Sequence, residues 1–182
     1  VLLDPCRELI LPFSHWVRTG QPWVVLQRAF RPDGSMIPPP GQKTFTTWTS
    51  LKQAHRLRRR ADAILTGSGT VLADSPLFTV RFVSDHAPPK QRWLIVLDRR
   101  RRVPQTWLEK AGRRGFKVLT GPFTPSSTDG PALELKGALE ELGKRGALEV
   151  LVEAGPTLCK AILEHHLWNQ QIVFKYTGNG IP

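Results

Sequence analysis

The sequence predicts an α/β fold in which a mostly parallel central sheet is flanked by helices. Short apolar runs of strand length recur along the chain, and segments with helical spacing of apolar residues separate them. This alternation is typical of parallel sheets, because parallel strands need a crossover connection. With 182 residues, of which 40% are hydrophobic and six are Trp, the chain can bury a core. We expect one domain over residues 1–182.

The first half of the chain is predicted to hold two strands and one helix. Residues 22–27 form an apolar strand, and residues 31–41 form a loop because they contain glycines and three consecutive prolines. Thr47 or Ser50 can cap a helix whose apolar residues recur on one face. That helix leads directly into a buried strand at residues 63–65.

The second half is predicted to add three strands and two helices, one of which follows the last strand. Residues 93–97, 116–119 and 148–152 are apolar runs of strand length. Residues 121–130 contain two prolines and several small polar residues, which predicts an exposed loop. Leucines and an alanine between residues 135 and 142 follow helical spacing.

The net charge of +11 indicates a polyanionic or phosphate-rich partner. Much of the charge lies in two clusters, at residues 55–60 and 99–102. These side chains could bind RNA or the phosphates of a cofactor. They could also simply face water, since cations are favourable near a helix C-terminus.

Several classes of protein are not indicated. No apolar run approaches the roughly 20 residues of a membrane span, and the start lacks the build of a signal peptide, so a soluble cytoplasmic protein is expected. Cys6 and Cys159 belong to no Cys-x-x-Cys or Cys/His cluster, so no metal site is expected.

The run of residues 63–81 is the first candidate for a functional motif. After its strand come Gly67, Ser68 and Gly69, small residues that let a ligand approach the backbone closely, as nucleotide phosphates do. The run then supplies an acid, Asp74, and a base, Arg81.

The run of residues 151–158 is the second candidate. It is a strand that ends in the carboxylate of Glu153, followed by a Gly155-Pro156 step into a helix. The free amides of a helix N-terminus can bind an anion such as a pyrophosphate. The same step could also be only a strand-to-helix turn. Neither run is a complete Rossmann or P-loop fingerprint.

Together, the two runs resemble the pyrimidine reductase domain of riboflavin biosynthesis. That family shows Gly-x-Gly-Thr-Val-Leu-Ala-Asp-x-Pro-Leu-x-Thr-Val-Arg and, much later, Val-Glu-x-Gly-Pro-Thr-Leu, and both stand here in order. The similarity covers about residues 12–174. It implies a dihydrofolate-reductase-like fold that reduces the ribosyl group of 5-amino-6-(5-phosphoribosylamino)uracil with NADPH.

The resemblance also implies which residues form the site. Asp74 and Glu153 would polarise or protonate the reacting group. The substrate would be lined by Arg58, Phe78, Arg81 and Glu153. The cofactor contacts would fall on Ala29, Gly67, Gly69, Thr70, Asp74, Arg99, Gly155, Pro156, Thr157 and Leu158.

The chain departs from the family pattern after the first strand. The family usually has Lys-x-Ala-x-Ser-x-Asp-Gly there, and this chain replaces the lysine with Gln27 and the serine with Arg31. Arg31 could crowd the pocket. One alternative to an active reductase is therefore a weakened relative that keeps only a nucleotide or phosphate-sugar site. A second, indicated by the charge alone, is a basic RNA-binding protein.

The resemblance also sets expectations about partners. Family members form the C-terminal part of a bifunctional deaminase-reductase and continue beyond the position of Pro182. The chain is therefore expected to be either a reductase domain shortened at its C-terminal end or a fragment of a longer one. The resemblance also implies a homodimer. The chain has no His-x-Glu with a later Cys-x-x-Cys, so a zinc deaminase would lie outside it, fused or paired.

Overall fold

The computed structural model describes residues 3–42, 44–124 and 130–175, and a six-stranded sheet forms its centre. The strands are β1 (Trp23–Phe30), β2 (Ala63–Gly67), β3 (Trp93–Leu97), β4 (Lys117–Thr120), β5 (Glu149–Glu153) and β6 (Gln170–Lys175). Their order across the sheet is β4-β3-β2-β5-β1-β6, and every neighbouring pair is parallel. The carboxyl ends of all six strands therefore lie at one edge of the sheet.

In the ranges that the structure describes, one helix precedes the first strand and five lie between consecutive strands. They are α1 (Leu3–Thr19), α2 (Trp48–Arg60), α3 (Ser68–Asp74), α4 (Gln105–Arg113), α5 (Pro131–Lys144) and α6 (Pro156–Glu164). Thr47 caps α2, because its hydroxyl accepts a hydrogen bond from the Ser50 amide at 3.2 Å. Proline occupies the first turn of both α5 and α6, where its missing N–H costs nothing. None of the helices in the described part is long and apolar enough to cross a membrane.

Two hydrophobic layers cover the faces of the sheet. On one face, α5 and α6 bury side chains such as Leu142 and Ile162 against Leu26 and Val152. On the other face, α4 and α3 pack on β2 and β3, and α2 packs on β1 and β5. Because the central strands are covered on both sides, they are continuous apolar runs instead of alternating ones.

The predicted strands are confirmed, with small shifts at their ends. The strand at residues 93–97 agrees with β3, whereas β1 continues to Phe30 and β5 is shifted by one residue, ending at Glu153. Residues 125–129 of the predicted loop lie outside the described residues.

Three helices differ from the sequence prediction. The stretch Gly67–Gly69, expected to be a turn, is the start of α3, with Gly67 as its N-cap. Helices α1 and α4 have no counterpart in the prediction.

Candidate functional site

A cleft of about 490 Å³ opens at the carboxyl ends of β2, β3 and β5. Its volume lies in the range of small-molecule sites, and open α/β sheets commonly bind ligands at this edge. Nine of the ten residues expected to contact a cofactor line it: Gly67, Gly69, Thr70, Asp74, Arg99, Gly155, Pro156, Thr157 and Leu158.

The two sequence motifs meet in this cleft. The amide of Gly155 donates a hydrogen bond to the Thr70 hydroxyl oxygen at 3.1 Å, across 85 positions of sequence. A Cβ atom added to Gly67 would lie 3.5 Å from Leu158 Cδ2, which is ordinary van der Waals contact. The β2–α3 and β5–α6 junctions therefore form one continuous wall.

The N-terminus of α6 supplies hydrogen-bond donors to that wall. Gly155 is its N-cap and has no side chain to cap the helix, and Pro156 has no N–H to offer. The next amides, of Thr157 and Leu158, lack intrahelical partners because they belong to the first turn. Both residues line the cleft, which makes this end of α6 suited to an anionic group.

Basic side chains from the loop after β3 line the same cleft. Arg99, Arg100 and Arg102 all contribute to its lining, and the Arg102 guanidinium donates to the Ser68 hydroxyl at 3.0 Å. Three guanidinium groups and the N-terminus of α6 outweigh the two carboxylates among the described lining residues, Asp74 and Glu134, so the cleft is positive on balance.

Asp98 shapes the turn that carries these arginines. Its side chain is only 4% exposed and accepts a hydrogen bond from the Val103 amide at 2.7 Å. Its carbonyl accepts another from the Arg101 amide at 2.9 Å, which closes a tight turn. Asp is common at the first position of such turns because it can bond the backbone that follows.

The loop after β1 contributes residues that the sequence did not identify. Met36, Ile37 and Pro38 line the cleft, but an irregular loop carries no periodic signal that could have located them. Arg31 does not line the cleft, because its guanidinium pairs with Asp33 at 2.9 Å and donates to the Ile37 carbonyl at 3.4 Å. It therefore does not crowd the pocket as the sequence suggested.

Six further described residues line the cleft, of which the sequence had indicated Ser68 by its motif and Arg100 and Arg102 by their basic cluster, and one expected residue is absent from it. The additional ones are Ser68, Ala73, Leu97, Arg100, Arg102 and Glu134. Ala29 lies instead on β1, where it pairs with Phe174 of β6, and is not among the lining residues.

Two of the expected substrate residues form an ion pair with each other. The Arg58 guanidinium donates through Nε to Glu153 Oε1 and through Nη2 to Oε2, both at 2.6 Å. The two side chains are only 14% and 12% exposed. Burial lowers the pKa of Arg58, but the charge and hydrogen bonds of Glu153 outweigh it and leave that pKa above its ordinary value.

The ion pair changes how both residues can act. Glu153 accepts from Arg58 with both oxygens, so its carboxyl group is engaged as the electrostatic partner of that guanidinium. Arg58 has two of its nitrogens engaged by Glu153, and Nη1 donates to the Thr79 carbonyl at 3.4 Å. The expected phosphate clamp on Arg58 is therefore directed into the protein.

Phe78 and Arg81 occupy different environments. Phe78 is 2% exposed, packs edge-on against Trp107 at 6.4 Å and lies under the Arg58 guanidinium at 5.9 Å. Its side chain thus supports Arg58 from the core instead of lining a recess. Arg81 is exposed, and its guanidinium donates to the Thr79 hydroxyl at 3.0 Å. Burial, and then the charge of Arg58, lower the pKa of Arg81.

The remaining candidate acid, Asp74, is exposed at the end of α3 and lines the cleft. It is therefore open to a bound ligand, unlike Glu153. Among the described residues, no group of three or more His, Cys, Asp or Glu side chains is arranged to hold a metal ion.

Comparison with known proteins agrees with this picture. Residues 22–176 match the family described as the RibD C-terminal domain. The riboflavin biosynthesis protein RibD of Chlamydia muridarum is 30% identical, over 97% of this chain and 53% of the relative. RibD of Bacillus amyloliquefaciens is 35% identical, over 87% of this chain and 46% of the relative.

A solved structure is similar over the same region. Acinetobacter baumannii RibD superposes with a TM-score of 0.76 at 28% identity, covering 94% of this chain and 51% of that one. The chain thus spans about half the length of the relatives that it matches. The predicted α/β, dihydrofolate-reductase-like fold class is confirmed. The chain belongs to the RibD C-terminal domain family, and the resemblance of its two motifs to the reductase domain of riboflavin biosynthesis is confirmed.

Proposed function

We propose that this chain catalyses the NADPH-dependent reduction of the ribosyl group of 5-amino-6-(5-phosphoribosylamino)uracil to its ribityl form. One observation carries the proposal: the two motifs that resemble those of pyrimidine reductases converge on a single cleft with an arginine-rich edge. The family membership of the chain supports the same activity.

The cleft fits a phosphorylated dinucleotide. The first amides of α6 can donate hydrogen bonds to its pyrophosphate, and the absence of a side chain at Gly67 and Gly155 lets the ligand approach the backbone. Arg99, Arg100 and Arg102 offer planar donors for a further phosphate, which favours NADPH over NADH. When bound, NADPH would supply hydride to the C1 carbon of the opened ribosyl group.

The protein's own groups have three tasks in this proposal. The cleft positions the two reactants, which lowers the entropic cost of their encounter. Asp74, exposed at the cleft, is the group that would hold or pass a proton. Arg81 would attract the substrate phosphate, and the Arg58–Glu153 pair would present a fixed dipole to the substrate.

We also propose that the chain acts as a single reductase domain, as a homodimer, and together with a deaminase that supplies the deaminated pyrimidine. The relatives that it matches are about twice its length, which leaves room in them for a second activity. Light scattering coupled to gel filtration, alone and with a separate deaminase, tests the homodimer and the pairing.

The central test follows the absorbance of NADPH in the presence of the pyrimidine ribotide. Turnover with the wild-type protein, and a KM for NADPH well below that for NADH, is the expected result. Arg100→Ala should raise the KM for NADPH about tenfold, because it removes one charge-assisted contact with the cofactor phosphate. The KM for NADH should stay unchanged. Arg113→Ala on α4, which is exposed and does not line the cleft, is the matched control.

Two outcomes would contradict the proposal. NADPH binding without turnover would favour a relative that keeps only the nucleotide site. Binding of RNA with a steep salt dependence, insensitive to NADPH, would favour a nucleic-acid-binding role.

A further inference from the structure

His55 is a buried histidine between two of the residues expected to contact the substrate. It lies on α2 and is only 2% exposed. Its Nδ1 accepts a hydrogen bond from the backbone amide of Arg81 at 2.8 Å, and its Nε2 lies 3.2 Å from Arg58 Nη1. The sequence had grouped it only with the basic cluster at residues 55–60.

Aromatic contacts fix the ring of His55 in place. Its centroid lies 4.5 Å from that of Phe82, and Phe82 in turn packs against Trp48 at 4.7 Å. Phe82 follows Arg81 directly, so the ring joins α2 to the segment that carries Arg81 by packing as well as by a hydrogen bond. A change at His55 is therefore expected to move both Arg58 and Arg81.

We propose that His55 is a positioning residue for binding of the phosphorylated pyrimidine ribotide, and that it acts by holding the Arg81 backbone through Nδ1. The inference rests on the proposed function, in which Arg81 attracts the substrate phosphate and the Arg58–Glu153 pair presents a fixed dipole to the substrate. His55 itself acts through these residues and does not touch the ribotide.

The charges around the ring favour its neutral form, and the contact distances then identify the nitrogen that accepts the hydrogen bond. Two guanidinium groups, of Arg58 and Arg81, face it, so a neutral ring is favoured. Burial, followed by those two charges, lowers its pKa to about 4. A neutral imidazole has one acceptor, and the shorter contact assigns it to Nδ1, which leaves the proton on Nε2. The Nε2–H then faces an N–H donor of Arg58 at 3.2 Å, so this contact is not a hydrogen bond.

This assignment can be tested with isosteric variants. The amide oxygen of Asn stands in for Nδ1, whereas the amide of Gln reaches the position of Nε2. His55→Asn should keep the KM for the ribotide within about threefold of wild type, and His55→Gln and His55→Leu should raise it about tenfold, as expected for loss of one buried hydrogen bond. The Kd for NADPH should change less than about twofold in all three, because the cofactor cleft does not include His55.

Controls separate this inference from the proposed function. His165→Leu makes the same chemical change at an exposed position and should leave both constants unchanged. If wild type binds the ribotide in calorimetry without turning it over, the reductase proposal fails, and weaker binding by His55→Gln than by His55→Asn still supports the role of His55. Equal KM or Kd values for Asn and Gln would overturn it.

A measurement on the unmutated protein covers the case in which variants do not fold. Nitrogen-15 NMR of labelled histidine, with His55 assigned by its absence in His55→Asn or by its contacts to Phe82, reports the tautomer directly. The neutral ring with the proton on Nε2 is the expected form. A proton on Nδ1 would refute the inference, since that nitrogen could not then accept from Arg81.

Discussion

Replacing Glu153 with Gln keeps the shape of the side chain but removes the negative charge that holds Arg58. The Arg58 side chain is only 14% exposed and would lose the negative carboxylate that accepts two of its hydrogen bonds, each of 2.6 Å. Leaving one charge of a fully buried pair unmatched costs about 3–5 kcal/mol. Since some solvent reaches this pair and Nη1 keeps its contact with the Thr79 carbonyl, we expect Glu153→Gln to lower the free energy of unfolding by about 2–3 kcal/mol.

A double-mutant cycle isolates the pair from the other effects of each substitution. Urea denaturation of wild type, Arg58→Met, Glu153→Gln and the double variant gives the coupling energy between the two side chains. We expect it to be about 2 kcal/mol, with the double variant more stable than Glu153→Gln alone. The exposed pair Lys160–Glu164, 3.7 Å apart, is the matched control and should couple by less than about 0.5 kcal/mol. Equal coupling in the two cycles would refute the argument that burial makes the Arg58–Glu153 pair strong.

Three further predictions concern stability and cofactor binding. The pKa of His55 is lowered from an ordinary 6.5 to about 4 on folding, so the unfolded chain binds more protons between these values. The free energy of unfolding should therefore fall by at most about 3 kcal/mol as the pH falls from about 6.5 to about 4. Urea midpoints for wild type and His55→Asn check this, and an equally steep loss in the variant contradicts it. Gly143→Ala would place a Cβ 1.9 Å from a backbone carbonyl oxygen and should destabilise the fold by about 1–3 kcal/mol in thermal unfolding. Gly112→Ala, whose Cβ would have no atom within 4 Å, should stabilise the fold by about 0.5–1 kcal/mol. The same sign for both variants would exclude the steric explanation. Thr70→Val removes the acceptor for the Gly155 amide and should weaken NADPH binding about fivefold in a fluorescence titration, with Thr70→Ser close to wild type.

The strands could be predicted from the sequence because each is a short apolar run bounded by turn residues. The stretch of residues 93–97 agrees with β3, since five apolar residues fit a strand that is covered on both faces. Helix α4 could not be predicted in the same way. Its buried contacts come from Trp107 and Ala111, and two apolar residues one turn apart are too few to indicate a helix in a segment of nine residues. Helix α1 holds an internal proline and exposes Leu9 and Val17, so its pattern does not match a core-facing helix.

The cleft could be predicted in part, for a topological reason. Two strands that are parallel and adjacent end at the same edge, so the segments that follow β2 and β5 must lie side by side. Local sequence therefore sufficed to find the β2–α3 and β5–α6 junctions. It did not suffice for Met36 and Ile37, which reach the cleft from an irregular loop. It also did not suffice for the partner of Arg58, because Glu153 is 95 positions away and only the packing of α2 on β5 brings the two together.

The departure at position 27 bears on that ion pair. Gln27 and Glu153 are opposite each other in the register of β1 and β5, so their side chains leave the sheet on the same face. The lysine usual in the family would place a second cation next to Glu153, in competition with Arg58 for the carboxylate. Gln27 adds no charge, and its buried Oε1 atom has no hydrogen-bond partner within the described residues. No lysine at this position then competes with Arg58 for Glu153, which is consistent with the two-pronged Arg58–Glu153 pair that the structure shows.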